Sequence, residues 1–171
     1  MTATARHARG AAGAPVTVEM YGNHECLHCR RAWPAVEALL AEAGDRVRFV
    51  YHHFARPADF PNAELAAEAA EAAAAQGRFW EMHALLMTEA PALHAEVLLA
   101  SAAALGLDVG RVRAALETRA FRETVRADLA LATARGVTRT PTFFVDGEPV
   151  AASPDLSALR VAIEEAMSVV R

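Results

Sequence analysis

The stretch best suited to chemistry is Cys26-Leu27-His28-Cys29, which holds the only two cysteines of the 171-residue chain. Two thiols separated by two residues can bind a metal ion, form a structural disulfide or exchange disulfides with a substrate. His24 and His28 lie beside the cysteines and could ligate a metal or influence the charge of a thiol. Three kinds of site are therefore open, beside the alternative of two inert thiols.

The number and spacing of the ligands argue against a metal site at the cysteines. Structural zinc takes four ligands, commonly two cysteine pairs or one cysteine pair with a histidine pair. Here the nearby histidines lie in the same short segment, where four groups cannot easily surround one ion. His52 and His53 could contribute from a later strand, but we expect no metal and no cofactor. Two cysteines this close also cannot hold a secreted disulfide framework together.

The elements around the cysteines favour redox chemistry. Residues 16–21, VTVEMY, predict a strand, and the apolar spacing that follows predicts a helix beginning near Cys26. At that helix N-terminus, free amides and the helix dipole favour a thiolate. With a donor or a positive charge from His28, they can lower the pKa of the thiol from about 8.5 to roughly 3.5–7. Cys29, one turn further in, would be more buried and suits the resolving thiol.

Glu19 and the segment around Pro141 could assist the thiols. Burial in the strand would raise the pKa of Glu19, and such a carboxyl could carry the proton of Cys29 during exchange. An ordinary residue at a solvated strand end is an equal alternative. Pro141 opens a buried strand, which suits a cis bond or a plain trans strand start. If the bond is cis, the backbone of Thr140 would face outward and could pair with an extended substrate.

The remaining pattern predicts an α/β chain with helices in its middle. Residues 46–54 predict a second strand, parallel to the first because a helix joins them, and several helical segments follow. Two further strands meet at Asp146 and Gly147, whose types favour a tight hairpin, and a last helix follows them. The sheet is therefore expected to be mixed.

Composition excludes several classes of function. The net charge is −4 and every basic residue is arginine, so nothing indicates a nucleic-acid partner and no lysine can act as a base. No segment near the N-terminus is apolar enough for a signal peptide or a membrane span. We therefore expect a cytoplasmic monomer with no membrane partner, or an extracytoplasmic protein if an export signal was removed.

Several segments together resemble the DsbA-like branch of the thioredoxin superfamily, from Val16 to about Val170. They are ECLHC with its helix, RVRFVYHHF, NAELAAEAAEAAAAQGRFWEMHALL and GVTRTPTFFVDGEPV. The resemblance implies a thioredoxin-like α/β fold with a mixed sheet and an inserted all-helical domain. The tail 1–15 would be disordered or loosely ordered, the core would comprise 16–60 and 121–171, and the insertion 61–120.

The resemblance also implies roles for individual residues. Cys26 matches the nucleophile, Cys29 the resolving cysteine of a redox-active disulfide, His28 the histidine between them, Pro141 the cis-proline, Thr140 the residue before it, and Glu19 an acid near the buried cysteine. Leu27 stands where the best-known oxidases of the family have proline, and it would contact substrate together with Thr140 and Pro141.

The function implied is thiol–disulfide exchange with protein or small-molecule substrates, with an unknown partner to recycle the thiols. The sequence leaves other functions of the same fold open. These are a cytoplasmic disulfide reductase or isomerase, a glutathione-linked transferase or isomerase, and a non-catalytic, chaperone-like binding module. An intact cysteine pair argues against the glutathione-linked enzymes, which usually use a single cysteine or serine.

Overall fold

The sheet has five strands in the order β1-β3-β2-β4-β5, in a computed structural model that describes residues 6–88 and 92–169. The strands are β1 His7–Arg9, β2 Val16–Gly22, β3 Val47–His53, β4 Thr142–Val145 and β5 Glu148–Pro149. The helices are α1 Leu27–Ala43, α2 Ala63–Ala74, α3 Phe79–Thr88, α4 Ala95–Ala104, α5 Val109–Glu117, α6 Arg122–Ala134 and α7 Ser157–Val169. β2 and β3 are parallel and the other pairs are antiparallel, which confirms the expected mixed sheet.

The two faces of the sheet are covered by different helices. One face is covered by α1 and α7. Trp33 of α1 packs near Phe49 of β3, and Arg160 of α7 donates a hydrogen bond to Glu42 of α1. The other face holds a smaller apolar cluster in which the sheet residues Tyr21 and Phe144 meet α6. Since successive side chains of a strand point to opposite faces, neighbouring β2 residues enter different environments. This alternation decides which of them can reach the thiols.

The segment between β3 and α6 is helical, as expected. α2 is rich in alanine and buries most of its length, because small side chains let the neighbouring helices approach closely. Two of its three buried carboxylates, those of Glu64 and Glu68, accept hydrogen bonds from Arg119, and the third is Glu71. The domain boundaries at residues 61 and 120 stay a prediction.

The N-terminal segment differs from the loosely ordered tail that we expected. His7–Arg9 forms an edge strand antiparallel to β3, with His7 opposite Tyr51. The Arg9 guanidinium lies 4.8 Å from the ring centre of Trp80, a favourable cation–π distance. Three residues are too few to show a strand pattern, so the sequence alone gives no signal for β1.

The hairpin and the last helix follow local sequence signals. Asp146 and Gly147 have φ values of 49° and 86°, and β4 pairs with β5 on either side of them, which confirms the turn. β5 comprises only Glu148 and Pro149. Ser153 Oγ accepts a hydrogen bond from the amide of Ala158 near the start of α7. Within the described segments, no helix combines the length and the apolar character that crossing a membrane requires.

Candidate active site

A short loop between β2 and α1 presents the two thiols. Asn23 Oδ1 accepts hydrogen bonds from the amides of Glu25 at 3.0 Å and Cys26 at 2.7 Å, which closes a tight turn. Cys26 is the N-cap of α1, in extended conformation, so the free amides of the first helical turn surround its side chain. Asn23 follows the predicted strand, and asparagine favours turns of this kind, so the sequence alone could have suggested its role in the loop.

The Cys26 thiol is strongly acidic. Both cysteines are thiols in this structure, and Cys26 is only 2% exposed. A hydrogen bond from the Cys29 side chain, assisted by the Thr140 side chain and by the amides of Cys29 and His28, lowers the pKa of Cys26 to about 5, although burial opposes the shift. The neutral thiol also donates to the Thr140 carbonyl at 3.6 Å, which favours protonation. The donors directed at the sulfur outweigh that contact.

The Cys29 thiol is shifted in the opposite direction. It is fully buried, and burial raises its pKa well above the ordinary value. Its hydrogen bond to Cys26 and the negative charge of the Cys26 thiolate raise the pKa further. At neutral pH the site therefore holds one thiolate at the start of α1 and one protonated thiol behind it.

The ring of His28 does not act on the thiol as expected. The contribution of His28 to the acidity of Cys26 comes from its backbone amide. Its side chain is exposed and lines a groove beside the site. His24 is fully buried and contacts His83 at 3.0 Å, and burial lowers the pKa of both imidazoles well below the usual value. His24 is therefore neutral near pH 7 and supplies no charge to the thiolate.

Gly22 gives Cys29 the space that it occupies. A Cβ atom at Gly22 would lie 3.2 Å from a carbon of Met20, 3.2 Å from a carbon of Tyr51 and 3.3 Å from the Cys29 sulfur. These separations are tighter than normal van der Waals contact, so any side chain would displace its neighbours. The end of β2 thus places the sulfur directly against the sheet.

Gly22→Ala is expected to lower the free energy of unfolding by about 1–3 kcal/mol, because it overpacks the buried space beside Cys29. Urea denaturation of the reduced protein measures the change. Gly13→Ala is the matched control, since a Cβ atom there meets nothing within 4 Å. Equal stability of the two variants would contradict the tight packing.

Two expectations for Glu19 are wrong. Its pKa is lowered rather than raised, because His52 and Arg135 outweigh the opposing effect of burial. Arg135 Nη1 lies 2.5 Å from Glu19 Oε2, and His52 Nε2 lies 3.6 Å from Oε1. The Cys29 sulfur lies on the face of the sheet to which a side chain at Gly22 would point. Glu19 points to the opposite face. The strand pattern alone could not tell which face each thiol would adjoin.

Glu19→Gln should leave the reactivity of both thiols within about twofold of wild type, since the carboxylate is paired on the far face of the sheet. The loss of the pair with Arg135 should lower the free energy of unfolding by about 1 kcal/mol. Thiol alkylation rates and urea denaturation measure the two effects. Slowing of Cys29 exchange by tenfold or more would restore Glu19 as its proton carrier.

The peptide bond between Thr140 and Pro141 is cis, and this segment lies against the Cys26 sulfur. The same two residues line a groove of about 830 Å³, together with His28 and the exposed side chains of Arg31 and Arg139. Leu27 is 54% exposed and does not line the groove. Cys26, Cys29, Thr140 and Pro141 are therefore brought together, whereas Glu19 is not.

The sequence is similar to those of known proteins. The sequence matches the protein family described as Thioredoxin over residues 2–165. The Na(+)/H(+) antiporter NhaA 1 of Salinispora arenicola is 41% identical over 162 residues, which are 95% of this chain and 25% of that protein. The chain thus spans about a quarter of the length of the curated relatives it matches.

Solved structures show the same fold. A thioredoxin-like oxidoreductase from Silicibacter pomeroyi has a TM-score of 0.81 and 29% identity, covering 94% of this chain and 91% of that one. The thiol-disulfide exchange protein alpha-DsbA2 from Wolbachia pipientis has a TM-score of 0.79 and 16% identity, covering 93% and 86%. The fold class expected from the sequence is confirmed. The chain belongs to the thioredoxin family and has the DsbA-like form of its fold, a mixed sheet with a helical insertion.

Proposed function

We propose that the chain is a thiol–disulfide oxidoreductase in which Cys26 exchanges with substrate and Cys29 resolves. The observation that carries the proposal is the opposite shift of two adjacent thiols. The pKa of Cys26 is lowered to about 5, while that of Cys29 is raised well above the ordinary value. A thiolate is both the attacking and the better leaving form in exchange. This difference supports Cys26 as the sulfur that reacts with the substrate and Cys29 as the sulfur that resolves the mixed disulfide.

The oxidising reaction follows from these two states. A substrate thiolate attacks the Cys26 sulfur of the Cys26–Cys29 disulfide; a mixed disulfide forms, and Cys29 leaves and takes up a proton. The second substrate thiolate then attacks the substrate sulfur of the mixed disulfide. The substrate gains a disulfide, Cys26 departs as a stable thiolate, and two electrons have passed to the protein. In the reducing direction, Cys26 attacks a substrate disulfide and forms a mixed disulfide with one substrate sulfur. Cys29 then attacks Cys26 and releases the reduced substrate.

The substrate is proposed to bind along the segment before β4. The backbone of Thr140 lies beside the Cys26 sulfur and is suited to pair with an extended chain. The groove that continues past Pro141 is large enough for several side chains of such a chain. Leu27, which is exposed and follows Cys26 in the chain, would also contact the substrate. Protein or peptide thiols are therefore favoured over small ones.

The acidic Cys26 thiol supports the oxidising direction. Stabilising the thiolate stabilises the reduced protein, and this makes the disulfide a stronger oxidant. Which direction operates depends on the redox poise of the compartment and on the recycling partner. The cytoplasmic location and the monomeric state stay predictions.

The test is direct transfer of a disulfide to a peptide that carries two cysteines. Equal amounts of oxidised protein and reduced peptide are mixed, and mass spectrometry follows both. The proposal predicts an oxidised peptide, a reduced protein and a transient adduct at Cys26. A reduced peptide that persists without any adduct would favour the alternative of a binding module with incidental thiols.

A further inference from the structure

Three buried side chains outside the dithiol lie close enough together to hold a metal ion. Although the sequence led us to expect no metal, we propose that His7, His53 and Glu71 bind a zinc ion. His7 Nε2 lies 2.7 Å from Glu71 Oε1, and His53 Nε2 lies 3.2 Å from the same oxygen. All three ligand atoms lie within 4.8 Å of one another. Two histidines and one glutamate are a donor set that zinc takes in proteins.

The separations are close to those that a metal requires. Zinc bonds to histidine nitrogen and carboxylate oxygen are about 2.0–2.2 Å, so neighbouring ligand atoms on a tetrahedral ion lie about 3.4 Å apart. The two contacts of Glu71, at 2.7 and 3.2 Å, are shorter than this value. Outward movement of the side chains by less than about 1 Å would admit the ion. Water or another group would complete the fourth position.

His53 supplies an independent indication of a ligand. Its side chain is fully buried, and within the described residues neither ring nitrogen has a hydrogen-bond partner. The approach of Nε2 to Glu71 lacks the geometry of a hydrogen bond. A buried polar atom without a partner is destabilising. A metal ion bound at Nε2 would use the lone pair that the protein leaves free.

The surrounding charges also suit a cation. The Asp128 carboxylate accepts a hydrogen bond from the His53 amide at 3.0 Å and one from Arg6 at 2.5 Å. Arg6 Nε lies 4.0 Å from Glu71 Oε1. Apart from the imidazoles, the two carboxylates of Glu71 and Asp128 and the one guanidinium of Arg6 leave a net charge of −1. A divalent cation is therefore better accommodated than in neutral surroundings.

The position of the ligands suggests a structural role. His7 lies in the edge strand β1, His53 at the end of β3 and Glu71 in α2. One ion would connect the edge of the sheet to the helical insertion. Binding to the folded chain alone would stabilise it in proportion to the logarithm of the metal concentration.

The experiment is a calorimetric titration of zinc chloride into the full chain after removal of metal with EDTA. The protein is first oxidised, so that the Cys26–Cys29 disulfide cannot bind zinc. One ion per chain is expected, and saturation at 100 times the dissociation constant should raise the melting temperature by about 5–10 °C. If the oxidised wild type neither binds zinc nor gains thermal stability, the three groups interact only with one another, and the proposal fails.

Variants locate the site. His7→Gln and Glu71→Gln should each weaken binding by at least about 100-fold, since even groups behind the ligands contribute 10- to 100-fold. The exposed His94 gives the matched control, and His94→Gln should bind as wild type does. Stoichiometric binding that survives His7→Gln would contradict the assignment. Replacing the buried Glu71 can unfold the chain, so a test without mutation is added. Cobalt(II) is bound to the oxidised wild type and its absorption spectrum is recorded. A spectrum typical of octahedral coordination would also overturn the proposal.

Discussion

Cys26→Ser is expected to lower the rate of disulfide exchange by roughly 10³-fold or more, because a serine hydroxyl replaces the only readily ionised sulfur. Cys29→Ser should have a different outcome. Its Cys26 thiolate still attacks a substrate disulfide, but no second thiol resolves the product, so a mixed disulfide accumulates. Gel electrophoresis without reductant, followed by mass spectrometry of the adduct, measures both results.

The pair of variants separates the two roles within one assay. Each replaces a single sulfur with oxygen at nearly constant size, so folding differences are minimised, and circular dichroism checks them. If Cys29→Ser lost all reactivity while Cys26→Ser trapped substrate, the assignment of the two sulfurs would be reversed. If neither variant differed from wild type, the thiols would be incidental to function.

The reduction potential should become more negative with rising pH, with a change of slope near pH 5. Above the pKa of about 5 of Cys26, the reduced site binds one proton, on Cys29. Below that pKa it binds two. For a two-electron couple, the slope should therefore be about 30 mV per pH unit above the break and about 59 mV below it. Equilibration with glutathione or dithiothreitol at several pH values measures the curve.

The same shift sets the strength of the oxidant. The pKa of Cys26 is depressed in the reduced protein, so the stabilisation of that form is complete above pH 9, decreases as the pH falls from 9 to about 5, and is absent below pH 5. Lowering the pKa from 9.0 to about 5 favours the reduced form by about 3 kcal/mol at pH 7. That corresponds to roughly 60 mV. A slope of about 59 mV throughout pH 5–8 would show that Cys26 remains protonated.

Much of the candidate site could be predicted from the sequence because its signals are local. A strand, a short loop and a helix place Cys26 at a helix N-terminus, and that placement alone predicts an acidic thiol. The position of Pro141 before a strand and the Asp146–Gly147 turn are local signals of the same kind.

The errors concern contacts that a local pattern does not encode. The alternation of β2 predicts a strand, but the face that adjoins Cys29 depends on where α1 packs, and so Glu19 was placed wrongly. The cluster around His53 brings together His7 and Glu71, which are far apart in sequence and meet only in the folded chain. A three-residue strand such as β1 depends on its neighbours rather than on its own residues.

The pH dependence of alkylation shows whether the site holds one acidic and one buried thiol. Reduced wild-type protein is treated with iodoacetamide from pH 3.5 to 10, and peptide mass spectrometry assigns the label to each cysteine. Wild type is used because removing Cys29 removes the largest cause of the low pKa of Cys26. The Cys26 rate should rise with a midpoint near pH 5 and then stay level, while Cys29 stays unreactive through neutral pH. A midpoint of Cys26 near 8.5 would show that the site holds no acidic thiol.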